Sequence, residues 1–314
     1  MQKNKKFIPV MLMPFFEDGS IDYSSLNQLV EFYLRSGAGG LFANCLSSEM
    51  FHLSREEMLK SVSYIVQTVA GRVPVVATGT FEDTIENQAE FVKEIYQAGV
   101  DSVIIITGLL AKEFDTEGVF RDNVHSLLAL TGNIPLGFYE CPVPYKRIIA
   151  AEFLGELVAT GRVKYHKDTS LDIINVGSKL IFTKEVPDFG LYDAYMVHAV
   201  DSLLAGSAGL SCIQGNYFPE LISWLCTHYN NELKCKEIAS VQEFLRINMD
   251  LMHDTYPKSA KYILSKRNLP ISLHCRNRSI ELEDTEKICL DNLYSDYSLL
   301  CEEIGLNIPS SLAN

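Results

Sequence analysis

Three short stretches of the chain place chemically capable residues among apolar ones. The first reads Tyr165-His166-Lys167-Asp168-Thr169-Ser170. A lysine at the end of a β-rich run can be stripped of water. Burial then disfavours its cation, lowers its pKa and frees a neutral amine to attack a carbonyl. Strand alternation places Val163, Tyr165 and Lys167 on one face and turns His166 and Asp168 to the other. Asp168 is therefore a poor partner for Lys167, and His166 reads as packing. The competing reading is a surface lysine paired with a carboxylate. The second stretch, Phe138-Tyr139-Glu140-Cys141-Pro142, offers a phenol able to shuttle protons beside such an amine, or else a core tyrosine with a satisfied hydroxyl. The third, Cys45-Leu46-Ser47-Ser48-Glu49, offers small hydroxyl residues and backbone N–H groups that could cradle a carboxylate, or else an ordinary turn.

Such residues need a frame. Short β-rich runs alternate with helical patterns at residues 7–13, 40–43, 73–78, 101–107, 134–140, 163–167, 189–193 and 209–213. Between them, Leu26, Leu29, Val30 and Tyr33 recur at helical spacing. Ser54 with Glu57 forms a capping box, Thr84 opens a helix, and Pro219 opens an eighth. The run 101–107 is almost wholly apolar, as a strand covered on both faces must be. Eight β-then-α units in series predict a parallel sheet closed into a (β/α)8 TIM barrel over residues 1–232. An open doubly wound sheet competes, but Met13-Pro14-Phe15-Phe16 is not its glycine-rich first turn. From residue 233 to 314 the pattern is helical, at 243–252, 260–265 and 283–304, which predicts a C-terminal helical extension packed on the barrel. Barrel enzymes carry their chemistry at the C-terminal ends of strands, which is where Tyr139 and Lys167 fall.

Taken together, these stretches resemble the dihydrodipicolinate synthase/N-acetylneuraminate lyase family of Schiff-base aldolases. Met13-Pro14-Phe15 with Asp18-Gly19-Ser20-Ile21-Asp22 is similar to the family's T-P-F…D-G-x-I-D. Leu46-Ser47-Ser48-Glu49, Leu53-Ser54 and Glu57 resemble T-T-G-E…L-T…E. Tyr139 with Pro142 resembles Y-N-x-P, and Lys167-Asp168-Thr169-Ser170 resembles K-D-S-S. Gly206, Gly209, Gly215-Asn216 and Pro219 resemble G-x-x-G…A-N…P, so the likeness runs over nearly the whole chain. It implies that Lys167 forms the Schiff base, Tyr139 moves protons, and Ser47 with the Ser48 backbone clamps a 2-oxo acid carboxylate. Leu46, Glu140, Leu110, Thr169 and Ser211 complete the expected substrate-facing set. A homotetramer or homodimer, and no cofactor, are also implied.

The departures are informative. Leu46 lacks the first hydroxyl of the family pair. Thr107-Gly108-Leu109-Leu110 carries no phenol where the lysine-pathway synthase has tyrosines, and Pro144 stands in place of an arginine for its second substrate. Glu140 replaces an asparagine and is expected to repel an anionic co-substrate. The distal pocket is expected to be apolar, built from Leu109, Leu110 and Phe114. These changes argue for a 2-oxo acid aldolase or lyase other than dihydrodipicolinate synthase itself. A sugar-acid dehydratase using the same lysine, and a catalytically weakened 2-oxo acid sensor, are the alternatives.

Bulk properties narrow the field. A net charge of -13 over 314 residues opposes nucleic-acid binding. No apolar run is long enough to span a membrane. A basic opening (Lys3, Lys5, Lys6) before an apolar run mimics a leader, but the acidic Glu17 and Asp18 follow without a cleavage site, so a buried first strand and a cytoplasmic protein are expected. Eight cysteines without a C-x-x-C pair read as buried free thiols. Seven histidines form no H-x-x-x-H set, and no metal site is expected.

Overall fold

The strand segments Leu41–Ala43, Val75–Thr78, Ser102–Ile106, Leu136–Tyr139, Gly190–Asp193 and Gly209–Leu210 are buried along their whole length, which explains why these segments read as near-continuous apolar runs. The computed structural model describes residues 4–277, 279 and 281–307; Lys3 and the end of the expected extension, 308–314, lie outside these. The strands are β1 (Lys6–Phe7), β2 (Leu41–Ala43), β3 (Val75–Thr78), β4 (Ser102–Ile106), β5 (Leu136–Tyr139), β6 (Val163–Asp168), β7 (Gly190–Asp193) and β8 (Gly209–Leu210). All pair in parallel, in the order β1-β8-β7-β6-β5-β4-β3-β2. A parallel bridge between Val10 and Phe42 closes the remaining gap between the first and second strand segments. The doubly wound alternative, which reverses its strand order part-way, is thereby excluded.

The first strand is shorter than its sequence suggests. Residues 7–15 are all buried, yet only Lys6–Phe7 lies in the ladder. Pro9 has no N–H to offer, so regular pairing stops there. The chain then re-engages through Phe42, which donates to the Pro9 carbonyl at 3.0 Å and accepts from the Met11 N–H at 3.0 Å. At β8, close approach demands glycine: a Cβ on Gly209 would lie 1.7 Å from the Lys6 carbonyl oxygen. Gly206 ends a helix in the left-handed region, so both glycines serve backbone geometry.

The barrel helices are α1 (Tyr23–Arg35), α2 (Arg55–Val69), α3 (Ile85–Gln97), α4 (Glu117–Leu130), α5 (Ala151–Ala159), α6 (Ile173–Thr183), α7 (Ala199–Ala205) and α8 (Pro219–His228). Local signals set their starts. Ser54 and Glu57 form the reciprocal capping box of α2, and Thr84 caps α3. The strands divide two apolar clusters. The outer one fills the space beneath the helices, and the inner one, with Ile8, Val10, Phe42, Val76, Ile104, Ile106, Tyr165 and Tyr192, fills the barrel.

Three further helices follow, α9 (Cys235–Ile247), α10 (Lys258–Lys266) and α11 (Asp284–Ile304). Buried charges tie this part of the chain to the barrel. Lys261 reaches Glu49 at 3.3 Å, and Arg267 pairs with Glu220 on α8. Arg276 grips both carboxylate oxygens of Glu57, and those hydrogen bonds hold the Glu57 carboxyl down at about 2. Six cysteines are buried free thiols as expected, while Cys235 and Cys289 are exposed because each occupies a solvent-facing turn of its helix. Among the described residues no helix is long and apolar enough to cross a membrane.

Candidate active site

β5, β6 and β7 run side by side with Tyr139, Lys167 and Tyr192 in register. Registered residues of parallel strands share a face, so all three side chains enter the barrel lumen. The sequence placed Val163 there too, which the structure corrects. The pairing of β5 with β6 shifts between Leu136 and Gly137, leaving Lys164 unmatched. Parity changes across this bulge, so Val163 packs outward under the helices while Tyr165 and Lys167 face inward.

Lys167 is only 4% exposed. Its Nζ stands 4.4 Å from the centre of the Tyr139 ring and 5.9 Å from that of Phe42. Among the described residues no carboxylate lies within ion-pair distance of it, and its ionisable neighbours are the thiols of Cys45, Cys141 and Cys212. Burial pushes these thiols upward, Cys212 to about 12, so they remain protonated and offer no counter-ion. Burial accordingly lowers the pKa of Lys167 from the ordinary lysine value, and the weak pull of the thiols does not restore it. An aromatic layer supports the amine: Tyr165 stacks on Tyr192 at 4.7 Å, and Phe42 meets Tyr139 and Tyr165 edge-on at 5.7 and 5.8 Å.

The Tyr139 phenol is buried near the Cys141 thiol; burial above all, then the neighbouring thiols and Tyr256, raise its pKa well above the ordinary tyrosine value. It is therefore a protonated donor at neutral pH. Leu46 packs against this luminal cluster, as does Leu109.

The other expected substrate contacts are redirected. Ser48 Oγ accepts from the Cys45 N–H at 2.7 Å and donates to the Cys45 carbonyl at 2.7 Å, and the Ser48 N–H also reaches that carbonyl. The tight turn consumes the backbone donor that the clamp was to use, leaving Ser47 as its hydroxyl. Ser211 accepts from the Tyr165 phenol at 3.0 Å and so belongs to the aromatic layer. Leu110 packs in the outer core, and Phe114 is 94% exposed, so of the expected apolar distal residues only Leu109 lines the lumen.

Glu140 is the largest correction. It follows Tyr139 and therefore points the opposite way, behind the strands. Lys179, on α6, lies 2.5 Å from Glu140 Oε1 and 2.7 Å from Asp168 Oδ2. Glu140 also accepts from the N–H groups of Ile149 and Thr169, and Thr169 Oγ1 donates to the Glu140 carbonyl. Burial opposes ionisation here, but His166 and Lys179 outweigh it and hold the Glu140 carboxyl at about 2. Its charge is thus paired behind the strands, out of the lumen. Glu140, His166 and Asp168 offer donor atoms within 4.8 Å of one another, the geometry of a metal site. Lys179 already bonds both carboxylates, so the cluster supplies its own cation.

Sequence reasoning missed Lys179, Tyr192 and Tyr256. Tyr192 was findable, two strand positions along in the β7 run. Lys179 and Tyr256 lie outside any strand end and gave no signal.

The fold and site together define a parallel (β/α)8 barrel with a desolvated lysine in its lumen. The chain belongs to the dihydrodipicolinate synthetase family, whose pattern matches residues 3–295, and the family is one of lyases. A 4-hydroxy-tetrahydrodipicolinate synthase from Bacillus velezensis is 24% identical over 286 residues, covering 91% of this chain and 96% of that one. Its counterpart from Pseudomonas savastanoi is 27% identical over 254 residues, covering 81% and 85%. Among solved structures, a monomeric dihydrodipicolinate synthase variant superposes with a TM-score of 0.83 at 20% identity, covering 94% of this chain and 97% of its own. A prophage protein of the family from E. coli, in complex with pyruvate, gives 0.81 at 20% identity, covering 96% and 99%.

Proposed function

We propose that this protein is a Schiff-base lyase, or aldol-condensing enzyme, acting on pyruvate or a related 2-oxo acid through Lys167. The observation that carries this reading is a buried lysine amine without a counter-ion, set against a protonated phenol. The neutral amine attacks the C2 ketone. The carbinolamine loses water to give a protonated imine, with Tyr139 delivering and recovering the protons. The iminium then withdraws electrons, so the bond between C3 and C4 breaks or forms through an enamine. Ser47 holds the substrate carboxylate. The reaction needs no metal or organic cofactor. The pyruvate named with the related prophage protein fits this substrate class.

We further propose that the partner substrate differs from that of the lysine-pathway synthase. Leu46, the phenol-free segment 107–110 and Pro144 support this, each removing a polar group from the distal side. Glu140 no longer contributes, since Lys179 neutralises it behind the strands.

Borohydride reduction in the presence of pyruvate, followed by peptide mass spectrometry, tests the reading. A reduced pyruvyl adduct on Lys167, absent in Lys167→Ala, is expected. No adduct with any short 2-oxo acid would sink it.

A further inference from the structure

The end of the barrel opposite Lys167, where β1, β6 and β7 begin, holds a cavity of about 570 Å3. That is room for a small organic ligand. Its charged lining is one-sided: Lys5, Lys6, Lys164 and Lys184 face a single carboxylate, Asp188. The whole chain carries a net charge of -13, so this concentration of ammonium groups runs against the rest of the molecule. A concave surface focuses such a field.

The partners these lysines have leave most of that charge uncompensated. Lys164 lies 3.9 Å from Asp188, whose side chain is 79% exposed. Lys184 lies 3.8 Å from Glu185, and both are exposed. Exposed pairs at such distances contribute little. Lys5 is half-buried and donates to the Ser207 carbonyl at 2.5 Å, a neutral acceptor. Lys6 is exposed and has no carboxylate within ion-pair distance among the described residues.

Tyr192 reaches this cavity from the lumen. Gly190 makes room for it: a Cβ there would lie 2.8 Å from Tyr192 Cε2 and 3.0 Å from its Oη, so the ring lies back along β7 toward the start of the strand. Tyr192 is 9% exposed, and it lines the cavity together with Gly190. Its hydroxyl has no hydrogen-bond partner among the described residues, whereas that of Tyr165, stacked on it, is held by Ser211. Burial raises the Tyr192 pKa to about 12, so the hydroxyl keeps its proton and is a donor. A buried donor without a partner favours a ligand that accepts from it. Leu180, Val186 and Phe189 add an apolar wall.

We propose that this cavity is a second ligand site, for a small organic molecule carrying at least two negative charges, with the Tyr192 hydroxyl donating to it and the lysines surrounding its charge. The apolar wall takes the body of the molecule. Tyr192 stacks on Tyr165 and lies in register with Lys167, so the ligand rests against the aromatic layer that supports the amine from its other side. The site does not depend on the chemistry of Lys167.

The experiment is calorimetric titration of the full chain with phenyl phosphate, a dianion on an apolar ring. Inorganic phosphate has the charge without the body, and benzyl alcohol the body without the charge. Each is expected to bind at least about tenfold more weakly than phenyl phosphate. Lys6→Gln and Lys164→Gln should each weaken phenyl phosphate about threefold, and together about tenfold. Tyr192→Phe should weaken it about fivefold. Lys236→Gln, on an exposed position of α9, and Lys167→Ala, in the lumen, should leave it within about twofold. The proposal is overturned by no heat from phenyl phosphate up to about 10 mM, or by equal binding of either control compound. It is equally overturned by undiminished affinity in the double lysine variant or in Tyr192→Phe, or by as large a loss in Lys236→Gln or Lys167→Ala. Should a variant not fold, acetylation of the wild type read by mass spectrometry asks the same question. Saturating phenyl phosphate is expected to slow acetylation of Lys6 and Lys164 at least about threefold and to leave Lys236 unchanged. Equal rates with and without phenyl phosphate overturn the assignment.

Discussion

Lys167 and Lys179 are both buried, on opposite sides of the same strands, and they have opposite surroundings. Lys179 bridges two carboxylates behind β5 and β6. Lys167, in front of them, faces aromatic rings and protonated thiols. A buried ammonium with two carboxylates is held as a cation and ties helix to sheet. A buried ammonium with none is destabilised as a cation, and the amine becomes available for attack. The contrast shows that burial alone does not set a lysine's chemistry; the presence or absence of a counter-ion beside it matters as much. It also shows how the barrel keeps the two sides apart, since adjacent residues of one strand, Lys167 and Asp168, face different compartments.

The contrast can be broken most severely from the structural side. Lys179→Met strands Glu140 and Asp168 as buried unpaired charges and should cost about 3–5 kcal/mol of stability, read by urea denaturation. Its folded fraction should still form the Lys167 adduct. A stable variant that has lost the adduct would reverse the roles assigned to the two lysines. On the chemical side, Tyr139→Phe should slow imine formation by about 100-fold or more while the denaturation midpoint barely moves. An unchanged rate of imine formation removes Tyr139 from the proton path. The mildest perturbation is pH. Because the Lys167 pKa is lowered, the pH profile of imine formation should inflect below the ordinary lysine value of 10.5. An inflection at that ordinary value would mean that the amine is solvated.

Acid should distinguish the two sides as well. The Glu140 carboxyl is depressed to about 2 in the folded chain from 4.5. The sign follows from linkage: a depressed carboxyl contributes stability fully above its unfolded value and loses it as protons bind. Unfolding free energy should therefore fall as pH drops from 4.5 toward 2, and Glu140→Gln should flatten that part of the pH–stability curve. An equally steep fall in the variant would place the acid sensitivity elsewhere, with the Arg276–Glu57 pair as the next group to test.

The sequence by itself determined the barrel and the strand ends on which Tyr139 and Lys167 lie. Eight apolar runs separated by capped helices admit few other architectures, because each signal is local: capping at Ser54 and Thr84, and alternation along β6. The same locality put Lys167 and Tyr139 at adjacent strand ends. Tertiary structure decided what alternation could not foresee. The β5–β6 register shift turned Val163 outward, because a bulge reverses parity without leaving a mark in residue type. The pairing of Lys179 with Glu140 and Asp168 depended on how α6 docks, so the sequence offered a carboxylate facing the lumen where the fold pairs it with a lysine behind the strands. The turn at Cys45 absorbed the Ser48 donors, and Leu110 swung to the outer core. Tyr256 arrived from a connection between helices, placed by long-range contacts with Asn216 and Tyr217. Contacts between segments far apart in the chain are set by the packing of whole elements, and residue spacing does not encode them.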